Sequence, residues 1–296
     1  MSIEGLLLID KPSGWTSHDV VAKCRRMCAT RRVGHAGTLD PMATGLLVLG
    51  VGRATKLLTF LVGLDKRYEG TMRLGVSTLT DDAEGEVTAR TPAGTVSHGQ
   101  ILEAAHQLTG SIEQIPSAVS AIKVNGRRSY ARVRAGEDVE LAPRPVTVHR
   151  FDVQPRPAPA EPEVVDVDFT VEVSSGTYVR ALARDLGEAV GVGAHLTALR
   201  RTSVGSLDVE RALSMQQAAA REDRGVMPME QAARQMFVVR TLDADEERSL
   251  RHGARLPGVA DPRPGAVAGI GPGRVLVAML EETTQQTRSR VVFPAG

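Results

Sequence analysis

The run Gly34-His35-Ala36-Gly37-Thr38-Leu39-Asp40-Pro41-Met42-Ala43-Thr44-Gly45 places three glycines and one proline in twelve residues. Glycine costs backbone entropy in regular structure and proline lacks an amide donor, so this density disfavours a helix or strand across the run. Leu46-Leu47-Val48-Leu49-Gly50-Val51 follows at once and reads as a buried strand. Together they predict a tight loop, shaped by its backbone, that carries one His and one Asp and feeds a core strand. Such a loop can hold a reactive carboxylate rigidly. An isolated Asp-Pro pair is more often a turn whose Asp caps an amide. What sets this pair apart is the whole string around it.

The chain has 296 residues, enough for one large domain and a small one, and at 42% hydrophobic it can build a core. Cys24 and Cys28 are its only cysteines. They stand one helical turn apart and read as packing positions. With no matching His pair they make a poor metal site, and they provide no disulfide framework, which points to a reducing compartment. The N-terminus lacks the pattern of a signal peptide and no apolar run approaches membrane length, so a soluble cytoplasmic protein is expected. Net charge is only +1. Yet Lys23, Arg25, Arg26, Arg31 and Arg32 form one acid-free cluster, and Lys123, Arg127, Arg128, Arg132 and Arg134 form another. Charge alone weighs evenly between a phosphate-tracking face and a solvated helix face.

Strands are expected near residues 5–9, 46–51 and 67–76, and helices near 17–28, with Ser17 as cap, and 55–62. Ser97 and Gln100 form a capping box opening a helix to 109, with Ile101, Leu102, Ala105 and Leu108 inward and Gly110 ending it. Short strands around an Asn125-Gly126 turn and a basic helix near 129–134 follow. Four prolines between 155 and 162 mark an irregular stretch. Val165, Val167, Phe169, Val171 and Val173 alternate with polar residues, a strand apolar on one face. Helices are expected at 178–190 and 215–221, then short apolar runs between Gly-Pro turns over 236–296. No regular strand-helix-strand period appears, so the fold class is α+β with a mixed, mainly antiparallel sheet and a small β-rich C-terminal domain.

The loop string meets every fixed position of G-H-x-G-x-L-D-P-x-A-T-G and resembles the TruB family of tRNA pseudouridine synthases. Five further segments carry the resemblance. Leu8-Ile9-Asp10-Lys11-Pro12-Ser13-Gly14-Trp15-Thr16-Ser17 is similar to the family's K-P-x-G segment, and Lys66-Arg67-Tyr68 to its second catalytic motif. Residues 115–126 are similar to Q-I-P-x-x-S-A-x-K-x-x-G. Residues 175–180 and 193–201 resemble its last two motifs.

The resemblance implies isomerisation of uridine 55 in the T-loop of tRNA. The C1′–N1 bond breaks, the base turns, and C1′ joins C5, with no redox change and hence no cofactor and no metal. The chain has neither a P-loop nor a G-x-G-x-x-G. Asp40 is then the catalytic carboxylate, attacking the nucleotide or abstracting a sugar proton. Arg180 is its positive partner, since a guanidinium stays charged when buried. Tyr68 stacks on the base and moves a proton. His35 helps hold the flipped-out nucleotide, Tyr178 and Leu199 line the opposite wall, and Asp82 joins the Arg180 and Tyr68 network. Lys123, Arg127 and Arg128 belong to an insertion at about 115–150 that grips the tRNA arm. Lys11 is support rather than catalyst. Read as residues alone, Tyr68 and Leu199 suit packing positions, Asp82 suits a turn, and Arg180 suits an exposed helix face. The resemblance further implies a catalytic domain at 1–230, a PUA-like RNA-binding domain at 236–296, and a monomer with no obligatory protein partner. The same residues bear on two other classes. A vestigial RNA-binding protein is disfavoured by intact Asp40, Tyr68 and Arg180, and a glycoside hydrolase wants two flanking carboxylates where the loop offers one.

Overall fold

The structure is a computed structural model that describes residues 3–117, 123–124, 127–128, 141–157 and 163–294, with only the backbone at 123–124 and 127–128. The chain packs as two units. The first comprises Met1–Asp40, Leu46–Val62 and Val204–Gly296, the second Pro41–Gly45 and Gly63–Ser203. Mixed sheets and helices make it an α+β protein. No helix among the described residues is long and apolar enough to cross a membrane.

In the first unit the strand Gly5–Lys11 lies beside Thr44–Val51, which also pairs antiparallel with Val33–Ala36. Leu46, Leu47, Val48, Leu49 and Val51 have no exposed surface, as the apolar run requires. The glycine-rich run departs from expectation at its start. Gly34, His35 and Ala36 form a strand facing Gly50, Leu49 and Val48, so the irregular part shrinks to residues 37–43. Close approach accounts for glycine here. A Cβ on Gly50 would stand 2.7 Å from the Ala54 carbonyl oxygen, nearer than real contacts allow.

The helix Ser17–Met27 buries Val20, Val21 and Cys24 on one stripe. Its cap is Thr16, in a reciprocal box with Asp19, rather than Ser17. The box holds the Asp19 carboxyl below the usual range, chiefly through the Thr16 hydroxyl and amide. Cys24 and Cys28 are buried free thiols, as packing positions should be. Burial pushes the Cys24 thiol up to about 12, and raises Cys28 as well. The thiolate is the reactive form. Native protein should therefore resist Ellman's reagent at neutral pH, and denatured protein should release both thiols. Rapid labelling of the native state would show that this helix face is open.

The C-terminal part of the chain is tied to the first strand. Leu6 and Met227 exchange backbone hydrogen bonds at 2.9 and 2.7 Å, and Leu213 bonds to Leu8 and Asp10. Beyond it lies a five-stranded sheet in the order Val238–Thr241, Val267–Ile270, Leu276–Glu282, Gln286–Val292, Leu256–Pro257. Its core is Leu242, Leu250, Val267, Val277 and Leu280. Between the strands runs the helix Ala244–Arg251, opened by an Asp243–Glu246 capping box.

In the second unit the strands run in the order Ala194–Val204, Lys66–Leu74, Val165–Val173, Arg144–Pro155, Gly110–Gln114. The last three pairings are antiparallel. The alternation in Val165–Val173 is borne out, with Val167, Phe169, Val171 and Val173 buried. The helix His98–Gln107 opens with the Ser97–Gln100 box. Its buried stripe is Ile101, Ala104 and Ala105, while Leu102, expected inward, is 48% exposed. Residues three and four apart share a face, and Leu102 sits about 100° round from Ile101.

Candidate active site

Asp40 stands on the loop 37–43 that closes the hairpin between Val33–Ala36 and Thr44–Val51. Gly37 and Gly45 bracket it with φ of 86° and 97°, a left-handed region that favours glycine. A Cβ on Gly45 would also overlap the Arg201 carbonyl oxygen, at the point where Thr44 and Gly45 pair with Arg200 and Arg201. Asp40 is half-buried, and Leu39 before it is buried. The Leu39 peptide is held by Ser17, whose hydroxyl donates to the Leu39 carbonyl at 3.1 Å and accepts from the Leu39 amide at 2.9 Å. His35 lies opposite Leu49 in the hairpin, its ring edge-on to His18 at 5.8 Å between centroids.

The other candidates lie in the second unit. Tyr68 is buried on the strand Lys66–Leu74, opposite Val171. Two residues earlier, burial lowers the Lys66 ammonium to about 8, helped by the nearby Arg201 charge. Leu199 is buried on Ala194–Val204, and its carbonyl accepts from the Thr44 hydroxyl at 3.5 Å.

Arg180 is 5% exposed, at the second position of the helix Val179–Ala189. A turn delivers it there: Thr177 donates its hydroxyl to the Ser174 carbonyl at 3.0 Å, and Gly176 has φ of 93°. The first turn of a helix disfavours a cation, and this one holds no acid. Asp82 offsets that cost from another segment. Its Oδ2 is 3.3 Å from Arg180 Nη1, which also donates to the Thr80 carbonyl at 2.8 Å. Asp82 is 3% exposed, and its Oδ1 accepts from the Glu84 amide at 3.1 Å. The structure thus brings Arg180 and Asp82 together as a buried pair, and the exposed-face alternative for Arg180 does not hold.

Tyr178 caps the same helix and is half-buried. Gln114 clamps its backbone from both sides, accepting from the Tyr178 amide at 2.8 Å and donating to its carbonyl at 3.2 Å. Nearby Arg184 donates to the Ile115 carbonyl at 2.7 Å and lies 3.4 Å from Asp81. Burial raises the Asp81 carboxyl, and its φ of 57° is rare for a side-chain-bearing residue. Lys123 pairs antiparallel with Arg128, and Val124 with Arg127. Their side chains, the Asn125-Gly126 turn and the basic helix near 129–134 lie outside the described residues. Among the described residues no cluster of His, Cys, Asp or Glu could hold a metal ion.

Comparison with known proteins gives three family matches in chain order. Residues 25–179 match the TruB family pseudouridylate synthase N-terminal domain. Residues 180–234 match the tRNA pseudouridylate synthase B C-terminal domain, and 237–294 the tRNA pseudouridine synthase II C-terminal domain. The chain belongs to the TruB family. Among its relatives is the tRNA pseudouridine synthase B of Arthrobacter sp. (strain FB24), 53% identical over 98% of this chain and 97% of that protein. The same-named protein of Rhodococcus jostii (strain RHA1) is 55% identical over 98% and 94%. A chain in the crystal structure of a Cbf5-Nop10-Gar1 complex superposes with a TM-score of 0.73 at 26% identity, covering 98% of this chain and 84% of that one.

In this TruB-family chain the sequence does not by itself reveal the contacts of Ser17, Gln114 and Arg184. Ser17 reads in the sequence as the helix cap that Thr16 in fact forms. Gln114 matches the Q that opens the Q-I-P motif, and that motif was the available signal. Arg184 lies one turn beyond Arg180 on the same helix, and only the fold brings Ile115 to it.

Proposed function

We propose that this TruB-family chain isomerises uridine 55 in the T-loop of tRNA to pseudouridine. The observation that carries the reading is the identity of half or more, over nearly the whole length, with proteins named tRNA pseudouridine synthase B. Asp40 is the reacting carboxylate, opening the reaction by attack on the nucleotide or by abstraction of a sugar proton. Its loop supports that role, since catalysis needs a group held in place before the substrate arrives. Arg180 is its positive partner and keeps it ionised against the desolvation that a stacked base imposes. Tyr68 stacks under the everted base and later moves the proton leaving C5, while N1 gains one. His35 holds the flipped nucleotide, at a cost of about a few kcal/mol for unstacking. Tyr178 and Leu199 form the facing wall, and Asp82 steadies Arg180.

The reaction is redox-neutral, so the proposal includes no cofactor. Residues 1–230 form the catalytic domain, with Lys123, Arg127 and Arg128 of the insertion gripping the tRNA arm, and 236–296 form a PUA-like RNA-binding domain. Family matches that change over between residues 234 and 237 support that boundary. The protein acts in the cytoplasm, alone and as a monomer.

The test uses purified protein and an unmodified tRNA transcript, with no cofactor, guide RNA or second protein. Pseudouridine-specific chemical labelling and primer extension should report one new modified site, at position 55. Labelling elsewhere would overturn the target, and labelling only after a partner is added would overturn the stand-alone reading.

A further inference from the structure

We propose that the Ser17 hydroxyl is a positioning residue for Asp40, fixing the peptide that leads into the carboxylate. The proposal rests on Asp40 being the reacting group. Ser17 is 1% exposed and opens the helix Ser17–Met27. Its one hydroxyl donates to the Leu39 carbonyl and accepts from the Leu39 amide, at 3.1 and 2.9 Å. Leu39 sits in the irregular stretch 37–43, beyond the end of the hairpin ladder, so a side chain meets a need that a neighbouring strand meets elsewhere. The Leu39 side chain is itself 4% exposed. With side chain, amide and carbonyl all held, the Leu39 dihedrals are fixed, and Asp40 starts from a defined peptide plane.

The mount behind Ser17 is also rigid. The buried Lys11 ammonium donates to the Pro12 and Trp15 carbonyls at 3.0 and 2.6 Å, setting the loop before the helix. Thr16 and Asp19 then lock the helix start, with the Thr16 amide donating to Asp19 at 2.9 Å. Because Thr16 takes the capping role, the next hydroxyl is available to the loop. The K-P-S-G-W-T-S segment is thereby a bracket whose last residue reaches the sequence-distant Asp40 loop.

The experiment measures single-turnover conversion of a T-arm transcript at saturating enzyme, with transcript affinity and thermal midpoint read on the same samples. Ser17→Ala should lower the rate about 100-fold, the scale of a misplacement near 1 Å, with affinity unchanged. Ser17→Thr keeps a hydroxyl on the same carbon and should restore most of the rate. Ser17→Cys keeps the size but offers only a weak donor and acceptor, and should fall with Ala. A packing role predicts the reverse order, with Cys near parental and the larger Thr impaired. That order, or a parental rate for Ser17→Ala, overturns the proposal. Where Ser17→Ala fails to fold, the Thr and Cys pair decides. Asp40→Asn is run alongside. If it stays active, the reading of Asp40 has failed and this proposal with it. If it is inactive while Ser17→Ala is parental, only the positioning role has failed.

Discussion

Asp40→Asn should abolish pseudouridine formation, lowering single-turnover conversion by about 10⁴-fold or more, while transcript affinity stays close to parental. A loss of that size is roughly 5 kcal/mol of barrier, at about 1.4 kcal/mol per tenfold. Asparagine has almost the size and shape of aspartate, so the loop 37–43 keeps its glycine turns and its anchor at Ser17. What disappears is the anionic oxygen, the only group the substitution removes that could attack carbon or take a proton. Binding is expected to survive because affinity for folded RNA comes largely from phosphates and shape, away from the reacting atoms. The thermal midpoint should also hold, because Asp40 is half-buried on a loop rather than packed in the core. An Asn variant within tenfold of the parental rate would remove the carboxylate from the mechanism. An inactive variant that also failed to bind would instead make Asp40 part of the RNA-binding surface.

Local chemistry was mostly legible from the sequence where one segment decides its own structure, the exception being the Thr16–Asp19 box, which lies one residue before the expected Ser17 cap. The alternation in Val165–Val173 predicted both a strand and its buried face. The Ser97–Gln100 box was readable because cap and partner stand three residues apart. Reading failed where a second segment decides. Glycine density argued against a strand at 34–36, yet the hairpin with 48–50 stabilises one and close neighbours call for small residues. Leu102 looked inward on composition, but the buried stripe follows whichever face the sheet covers. The site shows the same limit. Asp40 stood out because twelve contiguous residues carry its signal. The bonds that hold its neighbours span 22 residues for Ser17 to Leu39, and 64 for Gln114 to Tyr178. No local pattern encodes a spacing of that kind. Asp82 was placed beside Arg180 only through the family resemblance, since read as a residue it suits a turn, and the 3.3 Å approach of the two groups joins distant segments.

Arg180→Lys should lower conversion by about 100-fold or more, the scale seen when a preorganised charge is lost from a reaction site. The same change at the exposed Arg248 should have no effect on conversion. The Arg180 side chain is 6% exposed, and its Nη1 faces both the Thr80 carbonyl and the Asp82 carboxylate. A guanidinium directs several donors in a fixed fork and keeps its charge when buried. An ammonium is a single point on a shorter reach, and burial favours its neutral form, as Lys66 shows with its value lowered to about 8. A lysine at 180 that keeps its proton satisfies fewer acceptors, and one that loses it leaves Asp82 as a buried, uncompensated charge. Breaking such a pair outright, as in Arg180→Met, should cost about 3–5 kcal/mol of stability. Adding Asp82→Asn to Arg180→Met removes the orphaned charge and should recover part of that stability. It should recover none of the activity if the guanidinium is needed to keep the reacting carboxylate ionised. Recovery of stability and conversion together would make Arg180 a structural ion whose only task is to neutralise Asp82, and the chemistry proposed for Asp40 would then need another source of positive charge.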